Sequence, residues 1–467
     1  MIFFNRTDEL RLLRDRLSGD RAELLVVYGR RRVGKTELLS HLAGEQRALY
    51  FEATDSVAAD QLRDLTAELA RTSGDELLGA QPLTSWDAVL AALARFVDGH
   101  RTLVVLDEFQ YLAAQSPELE TTLSRWWRTT GRRMPLTLIL AGSELSFFED
   151  HVLAGQFYGR RTGQLKLLPF TARDAAMFHP GYSPADRVRT YSVCGGIPYY
   201  LERFTDDRPL TEHLLAEIFE RTGLLHDEAE LMLRQSIPDP TNHNAVLRAI
   251  ARGHNRNNEI SQDTQLQSGH VTKLLSSLER LGLVERLRPV TASPRAKKTA
   301  YAISDQFLRF HYRFIEPARS QLRTRALAAT YVSETVLPQL DQHASWAWED
   351  ICRQHVALVQ SGLVAVGSWW GQVPTGRGRR TEQREIDVVG LDGTGRPIAV
   401  GMCKWTSGMV DFDELNLLDR LTPFVPESTG QEHRYLFSRS GFTERLTIHA
   451  ADDPRLHLLT PADIYAG

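Results

Sequence analysis

The chain has 467 residues, more than one hydrophobic core usually organises, so we expect several domains. Its composition, 42% hydrophobic and 24% charged, is typical of globular proteins. A formal charge of −4 excludes a global attraction to nucleic acid or acidic membranes, so any DNA contact must be local. No stretch resembles a signal peptide or a membrane span, and Cys194, Cys352 and Cys403 lack metal-like spacing. These features predict a cytoplasmic protein without disulfides.

An apolar segment near the amino terminus runs into a loop framed by Gly29 and Gly34, and Lys35 and Thr36 follow at the start of a helix. The glycines let backbone N–H groups turn towards phosphate oxygens, while Lys35 reaches the β- and γ-phosphates. The Thr36 hydroxyl can ligate Mg²⁺. The pattern predicts a nucleoside triphosphate site. Its predicted residues are Gly29, Arg30, Arg31, Arg32, Val33, Gly34, Lys35, Thr36 and Glu37.

A second apolar segment, residues 103–106, ends in Asp107 and Glu108. Phosphoryl transfer needs one carboxylate for the metal and one for the nucleophile, so we expect Asp107 to hold Mg²⁺ together with Thr36. Glu108 is then the residue that orients or deprotonates the attacking water. An acidic pair after a strand also occurs as a loop start or helix cap, and its position downstream of the phosphate loop favours the catalytic role.

Several motifs occur in one order along the chain, in residues 4–10, 29–38, 106–112, 140–143, 159–162 and 195–200. In this order the chain resembles the archaeal-type ATPases, which are relatives of the STAND signalling NTPases and the AAA+ proteins. The resemblance implies that the nucleotide is ATP and that the protein hydrolyses it with Mg²⁺.

The resemblance also implies roles for single residues. Ser143 corresponds to the polar sensor of the γ-phosphate, and Arg160 or Arg161 to an arginine finger presented by a closing domain or a neighbouring subunit, as in a homo-oligomer. Arg6 belongs to the motif on the adenine side, and Pro198 resembles the lid proline near the base. For the arginines a solvated basic turn is the alternative, and for Pro198 an ordinary helix-capping turn.

From residue 242 the pattern is three helices, at 245–251, 259–264 and 269–281, followed by two short strands, which predicts a winged helix. We expect its third helix to bury Val271, Leu274, Leu275, Leu278 and Leu281. We expect the same helix to expose His270, Thr272, Lys273, Ser276, Ser277 and Arg280. The wing region carries Arg286, Arg288, Arg295, Lys297 and Lys298. Such a face could bind DNA, and the module could equally serve for packing between domains.

The last part of the chain resembles the PD-(D/E)XK restriction-endonuclease fold. Residues 346–349 are expected to open a helix, residues 369–371 to end a strand, and residues 384–390 and 399–405 to form further strands.

Glu349, Asp387 and Lys404 match the acidic and lysine positions of that fold. Met402 stands where the motif has a glutamate, on the same strand face as Lys404. A thioether cannot replace a carboxylate for Mg²⁺, and Glu385 is the one nearby acid that could substitute. We therefore expect a degenerate nuclease-like domain.

The predicted fold class is α/β. We expect a P-loop domain with a parallel sheet at 1–168, a helical lid at 169–240, a winged helix at 241–304, a helical connector at 305–343 and a restriction-endonuclease-like α/β domain at 344–467. The predicted function is an ATP-driven switch with slow, partner-regulated turnover, whose protein partner is unknown. An ATP-gated nuclease is the alternative.

Overall fold

The computed structural model describes residues 5–293, 300–374 and 381–466. The chain divides into two compact units, which meet in sequence between Pro169 and Phe170. No helix within the described ranges is both long enough and apolar enough to cross a membrane.

The first unit is built on a parallel five-stranded sheet with the order β2-β3-β4-β1-β5. Its strands are β1 Glu23–Tyr28, β2 Ala48–Glu52, β3 Thr102–Asp107, β4 Leu136–Gly142 and β5 Gly163–Lys166. Strands β3 and β4 are buried along their whole length, which suits the uninterrupted apolar sequences of both. The carboxyl ends of β1 and β3 thus open at one edge of the sheet, where their following loops carry the predicted site.

The helices of the first unit are α1 Thr7–Ser18, α2 Lys35–Gly44, α3 Ala58–Ser73, α4 Glu76–Ala80, α5 Trp86–Val97, α6 Phe109–Gln115, α7 Leu119–Thr129 and α8 Leu145–Phe147. Two further helical segments are the 3-10 turn Gly131–Arg133 and the π-helical segment Phe148–Gln156.

The second unit begins with short helices and continues into a three-helix group, a hairpin and a longer helical region. The first helices are α9 Ala172–Ala176, α10 Pro184–Cys194, α11 Pro198–Leu201, α12 Leu210–His213 and α13 Glu228–Ser236. A π-helical segment, Leu214–Phe219, continues α12. The three-helix group is α14 Thr241–Ala251, α15 Asn257–Thr264 and α16 Ser268–Arg280. An antiparallel pair follows, β6 Val284–Leu287 and β7 Ala300–Ile303. The helices after it are α17 Gln306–Phe310, α18 Arg325–Tyr331 and α19 Leu337–Val359, with short segments at His311–Ile315, Glu316–Ala318 and Val332–Val336.

The last elements form a mixed sheet with the order β12-β11-β10-β9-β8, in which β8, β9 and β10 are antiparallel and β10, β11 and β12 are parallel. Its strands are β8 Ala365–Pro374, β9 Thr381–Leu391, β10 Pro397–Lys404, β11 His433–Ser438 and β12 Leu456–Leu459. The helices α20 Phe412–Leu421, α21 Glu444–Ala451 and α22 Pro461–Ala466 and the turn Thr422–Phe424 complete it.

Two element boundaries in this region were predicted wrongly. The helix that carries Glu349 begins at Leu337 rather than at Trp346, because Pro338 occupies its first turn, where a missing N–H costs nothing. Trp369 to Gly371 do not end a strand, since β8 pairs with β9 as far as Pro374.

Candidate nucleotide-binding site

The loop between β1 and α2 depends on its two glycines. Gly34 has φ +88°, a left-handed conformation that side chains disfavour. A Cβ atom at Gly29 would lie 2.4 Å from the carbonyl oxygen of Leu167, so no larger residue fits there without a shift of backbone. The loop is therefore held in a tight, anion-cradling form at the amino terminus of α2.

Lys35 lies inside this loop, with 4% of its surface exposed. Its Nζ donates hydrogen bonds to the carbonyl oxygens of Gly29 and Arg30, each at 3.0 Å. Burial lowers the pKa of Lys35, while the negative charges of Glu108 and Asp107 act in the opposite direction. The ammonium group thus lies within the curve of the loop.

Thr36 and Asp107 meet across the sheet edge. The Thr36 hydroxyl donates to Oδ2 of Asp107 at 2.9 Å, and the hydroxyl of Tyr50 donates to the same oxygen at 2.6 Å. Burial, followed by the charge of Asp107, raises the pKa of Tyr50, so the phenol stays protonated and remains a donor. Two hard oxygen atoms suited to Mg²⁺ are thereby brought together beside Lys35.

Glu108 adopts a left-handed backbone conformation, with φ +50°. Its Oε2 accepts hydrogen bonds from the Ser143 hydroxyl at 2.7 Å, from the Ser143 backbone N–H at 3.2 Å and from Nε2 of Gln110. The carboxylate is thus engaged by three donors from β4's end and from α6. We call this arrangement the Glu108 clamp.

The other predicted loop residues surround this centre. Arg31 donates to the hydroxyl of Tyr111 at 2.6 Å, Val33 is fully buried, and Glu37 is exposed on α2. Arg30 and Arg32 are partly exposed on the loop, and Arg32 has φ +69°.

Arg6 precedes α1 and is 6% exposed. Its Nη2 donates to the carbonyl oxygen of Val33 at 2.7 Å, and its Nη1 pairs with Glu9 at 2.9 Å. Arg6 therefore ties the start of the chain to the backbone of the phosphate loop.

Arg160 and Arg161 lie just before β5. Because β5 runs parallel to β1, with Gly163 opposite Leu25 and Lys166 opposite Tyr28, the backbone before β5 lies at the sheet edge opposite to the phosphate loop. Arg160 donates to the carbonyl oxygen of Gln156, and Arg161 to that of Leu153 at 2.6 Å. Both guanidinium groups therefore have backbone partners in the segment just before β5.

Pro198 belongs to the second unit, where it occupies the first turn of α11. This is the position that proline favours at a helix start. Its predicted role near the base stays a prediction.

Glu349 in the middle of α19 interacts through its charge with Glu385 and Asp387 on β9. Burial, followed by the charge of Asp387, raises the pKa of Glu349 to about 7. Burial and Asp387 also raise the pKa of Glu385. Arg353 lies 3.9 Å from Glu349 and donates to the backbone carbonyl of Asp387.

The remaining positions of the nuclease motif have other partners. Oδ2 of Asp387 accepts the backbone N–H of Cys403 at 2.7 Å, and Lys404 pairs with Glu414 at 3.1 Å. Met402 is 6% exposed and packs in the hydrophobic core beside Val400. Within residues 5–293, 300–374 and 381–466, no group of three or more His, Cys, Asp and Glu side chains could hold a metal ion.

The three-helix group exposes the polar face of α16 as predicted for His270, Thr272, Lys273, Ser276 and Arg280. The buried residues Val271, Leu274, Leu275 and Leu278 also agree with the prediction. Leu281 and Ser277 are both partly buried, since the helix ends at Arg280 and its last turn meets the hairpin. Arg295, Lys297 and Lys298 lie outside the described residues.

Two residues at the site were not predicted from the sequence, Tyr50 and Gln110. Tyr50 is two residues before Glu52, which pairs in register with Asp107 at the end of β3. Gln110 follows Glu108 by two residues, within the first turn of α6. A polar side chain next to a predicted metal-binding strand end is the signal that could have indicated each of them.

The fold and site define the class of the first unit: a parallel sheet in the order given above, with a Lys-Thr phosphate loop after β1 and an acidic pair after β3, is that of a P-loop ATPase domain. Residues 3–204 match the model of a family described as an ATPase domain predominantly from Archaea. Residues 311–415 match a second family, described as Archaea bacterial proteins of unknown function.

Three similar proteins are from archaeal species. An uncharacterized protein of Methanocaldococcus jannaschii is 26% identical over 412 residues, which cover 86% of this chain and 88% of the relative. The Walker-type ATPase of Pyrococcus abyssi is similar in fold, with a TM-score of 0.50 at 20% identity over 67% of this chain and 96% of that one. The ORC2 protein of Aeropyrum pernix, solved as ADPNP-ADP complexes, has a TM-score of 0.42 at 16% identity over 70% of this chain and 93% of that chain.

Proposed function

We propose that this protein is a Mg²⁺-dependent ATPase that works as a nucleotide-controlled switch. The observation that supports it most is the meeting of Lys35, Thr36, Asp107 and Glu108 at one sheet edge. A metal-bound triphosphate supplies the electrophilic phosphorus and the charge neutralisation that hydrolysis requires. The residues fit such a group, because the loop with its left-handed Gly34 curves around the Lys35 ammonium and the oxygens of Thr36 and Asp107 are hard ligands.

Each side chain has one task in this proposal. Lys35 binds the phosphates, Thr36 and Asp107 hold the metal, and Glu108 takes the proton of the attacking water. Ser143 senses the γ-phosphate, because it lies at the end of β4 beside Glu108.

The Glu108 clamp supports slow, regulated turnover. The Oε2 atom of Glu108 already accepts three hydrogen bonds, so its lone pairs are not free to accept a proton from water. We therefore infer that Glu108 must leave Gln110 before it can deprotonate water. A partner or a change in the second unit that favours this release would switch hydrolysis on.

The test compares two variants with the native protein. Lys35→Ala should lose nucleotide binding in titration calorimetry, and Glu108→Gln should bind with unchanged affinity but release no phosphate. Normal turnover by Glu108→Gln would refute the assignment of Glu108 as the base. Absence of ATP binding by the native chain would refute the function as a whole.

The arginine finger, if it is Arg160 or Arg161, acts in this proposal on a neighbouring subunit. Both residues precede β5, at the edge away from Lys35. Mixing Lys35→Ala protein with Arg160→Ala, Arg161→Ala protein should restore part of the turnover, because one chain then supplies the finger and the other the intact phosphate loop. No restoration would exclude the subunit-bridging role.

Binding of DNA by the second unit is a further part of the proposal. We interpret α14 to α16 with β6 and β7 as a winged helix whose exposed α16 face carries Lys273 and Arg280. The chain after β6 also serves for packing, since the N–H of Val290 donates to the carbonyl of Ser368 on β8 at 2.8 Å. Charge removal at Arg295, Lys297 and Lys298 should reduce the salt dependence of DNA affinity, and an unchanged slope would place the DNA contact elsewhere.

The ATP-gated nuclease is the less favoured alternative. The electrostatic coupling of Glu349 with Asp387 and Glu385 supports it. The core position of Met402, the pairing of Lys404 with Glu414 and the lack of a metal-holding group of three such side chains among the described residues oppose it. Incubation with plasmid, Mg²⁺ and ATP decides between them. Nicking that disappears in Asp387→Ala would favour the nuclease, and ATP turnover without DNA damage would favour the switch.

The five domains predicted from the sequence remain our proposed division of the chain.

A further inference from the structure

A group of arginines lies in the second half of α7 and in the turn that follows it, on the first unit, and none of them was assigned a role above. We define the arginine surface as Arg125, Trp126, Arg128, Arg132 and Arg133. All four arginines are exposed and Trp126 is half-buried. Residues 121–133 contain no Asp or Glu, so the local charge is strongly positive in a chain whose formal charge is −4.

Three of these charges have no counter-charge. Arg125 pairs with Asp87 at 3.0 Å. By contrast, no ion pair or hydrogen bond joins the side chains of Arg128, Arg132 or Arg133 to another residue in the described part of the chain. Three exposed arginines within residues 128–133 therefore carry charges with no acidic partner among the described residues.

Hydrogen bonding to the last carbonyl groups of α7 does not explain them. Arginines near a helix carboxyl end can stabilise it by donating to the last carbonyl groups. Here other groups do so, because the Thr129 hydroxyl donates to the carbonyl of Arg125 at 3.1 Å and the Thr130 N–H donates to that of Trp126 at 2.8 Å.

Trp126 adds an aromatic surface to the charges. Its neighbour Trp127 is 4% exposed and packs in the core, whereas Trp126 stays half-buried. A Cβ atom at Gly131 would lie 2.7 Å from Cε3 of Trp127 and 2.8 Å from Cζ3 of Trp126, so the absence of a side chain at Gly131 lets the following turn close against both indoles. The Trp126 ring is thus braced on one side by the backbone of this turn.

Unpaired guanidinium groups beside a braced indole match the chemistry of a single nucleic-acid strand, whose phosphates bind arginine and whose unpaired bases stack on aromatic rings. We propose that the arginine surface binds single-stranded nucleic acid. This site is separate in sequence from the α16 face, and it does not depend on ATP hydrolysis.

The experiment measures the affinity of the full chain for a labelled single-stranded DNA of about 20 nucleotides. Binding is followed by fluorescence anisotropy over a range of salt concentrations. The triple variant Arg128→Gln, Arg132→Gln, Arg133→Gln should bind more weakly. Its slope of log affinity against log salt should be smaller by about 2, because each lost phosphate contact removes about 0.7. Trp126→Leu should weaken binding roughly 5- to 150-fold, the effect of losing one stacked base, with little change of slope.

The matched control neutralises three exposed arginines of the same unit that each pair with an acid on their own helix. These are Arg11→Gln, Arg63→Gln and Arg71→Gln. The control should bind like the native protein, and all variants should keep ATP affinity, which shows that they fold and separates this proposal from the ATPase assignment.

Three results would overturn the proposal. One is a native protein that does not bind the oligonucleotide at low salt, and another is a triple variant with native affinity and slope. The third is polyglutamate of equal charge competing as well as unlabelled oligonucleotide, because the surface would then be one for acidic protein segments.

Discussion

Replacing Gln110 by methionine should raise the basal rate of ATP hydrolysis. Gln110 donates through Nε2 to Oε2 of Glu108, and methionine has a similar length but no donor. The Oε1 atom of Gln110 is buried and has no hydrogen-bond partner, so replacement by a thioether should cost little stability. The variant therefore weakens the Glu108 clamp without opening a cavity.

The size of the effect follows from the lost hydrogen bond. A hydrogen bond to a charged group contributes about 1.5 to 3 kcal/mol. If the lost hydrogen-bond energy lowers the barrier to release of Glu108 in full, turnover rises by about 10- to 150-fold. This rise is an upper limit, because both Ser143 donors remain bonded to Glu108.

Phosphate release at saturating ATP and Mg²⁺ measures the change, and calorimetry checks that the nucleotide affinity is unaltered. The double variant Gln110→Met, Glu108→Gln is the control, which should be inactive if the added turnover uses Glu108. Basal turnover that stays the same or falls in Gln110→Met would show that Gln110 positions Glu108 for catalysis instead of restraining it.

Three further outcomes are expected. Lys35→Ala should abolish the heat of ATP binding, whereas Lys273→Ala on the second unit should leave it unchanged; residual binding by Lys35→Ala would refute the role of the buried ammonium. Tyr50→Phe should require roughly 5-fold more Mg²⁺ for half-maximal turnover, since a hydrogen bond of about 1 kcal/mol that orients Asp107 is lost, and an unchanged Mg²⁺ midpoint would contradict this reasoning. The pKa of Glu349 is raised from 4.5 to about 7 in the folded chain, which therefore binds a proton at this residue more tightly than the unfolded chain does. The contribution of Glu349 to stability consequently falls as pH rises from about 4.5 through 7. Glu349→Gln should therefore raise the melting temperature more at pH 8 than at pH 5, and an equal gain at both pH values would argue against the shift.

Local motifs carried most of the prediction for the first unit. The phosphate loop, from Gly29 to Thr36, is contiguous, so its strand, loop and helix could be recognised without knowledge of the fold. The Glu108 clamp could not, because Ser143 reaches Glu108 only when β4 lies beside β3. The left-handed backbone at Glu108 also directs its carboxylate, and a sequence pattern does not specify that conformation.

For the last domain, the correct interpretation of single residues depended more on tertiary packing. The sequence revealed the substitution at Met402 and the chemical reason why it weakens a metal site. Only the sheet showed that Met402 belongs to the core and that Lys404 pairs with Glu414 on α20. The start of α19 was misplaced because Pro338 opens a helix as readily as it ends one, and packing of the preceding turns selects between these.

From the sequence alone came the triphosphate loop, the acidic pair after β3 and the expectation of an ATPase, since backbone geometry and ligand chemistry restrict those positions to a few residue types. The tertiary structure alone decided which groups contact that pair, at which end of the strands the backbone of Arg160 and Arg161 lies, and which arginines in and after α7 lack partners. The physical reason is that contacts between side chains far apart in sequence depend on strand order and register, which many sequences with the same local patterns could realise differently.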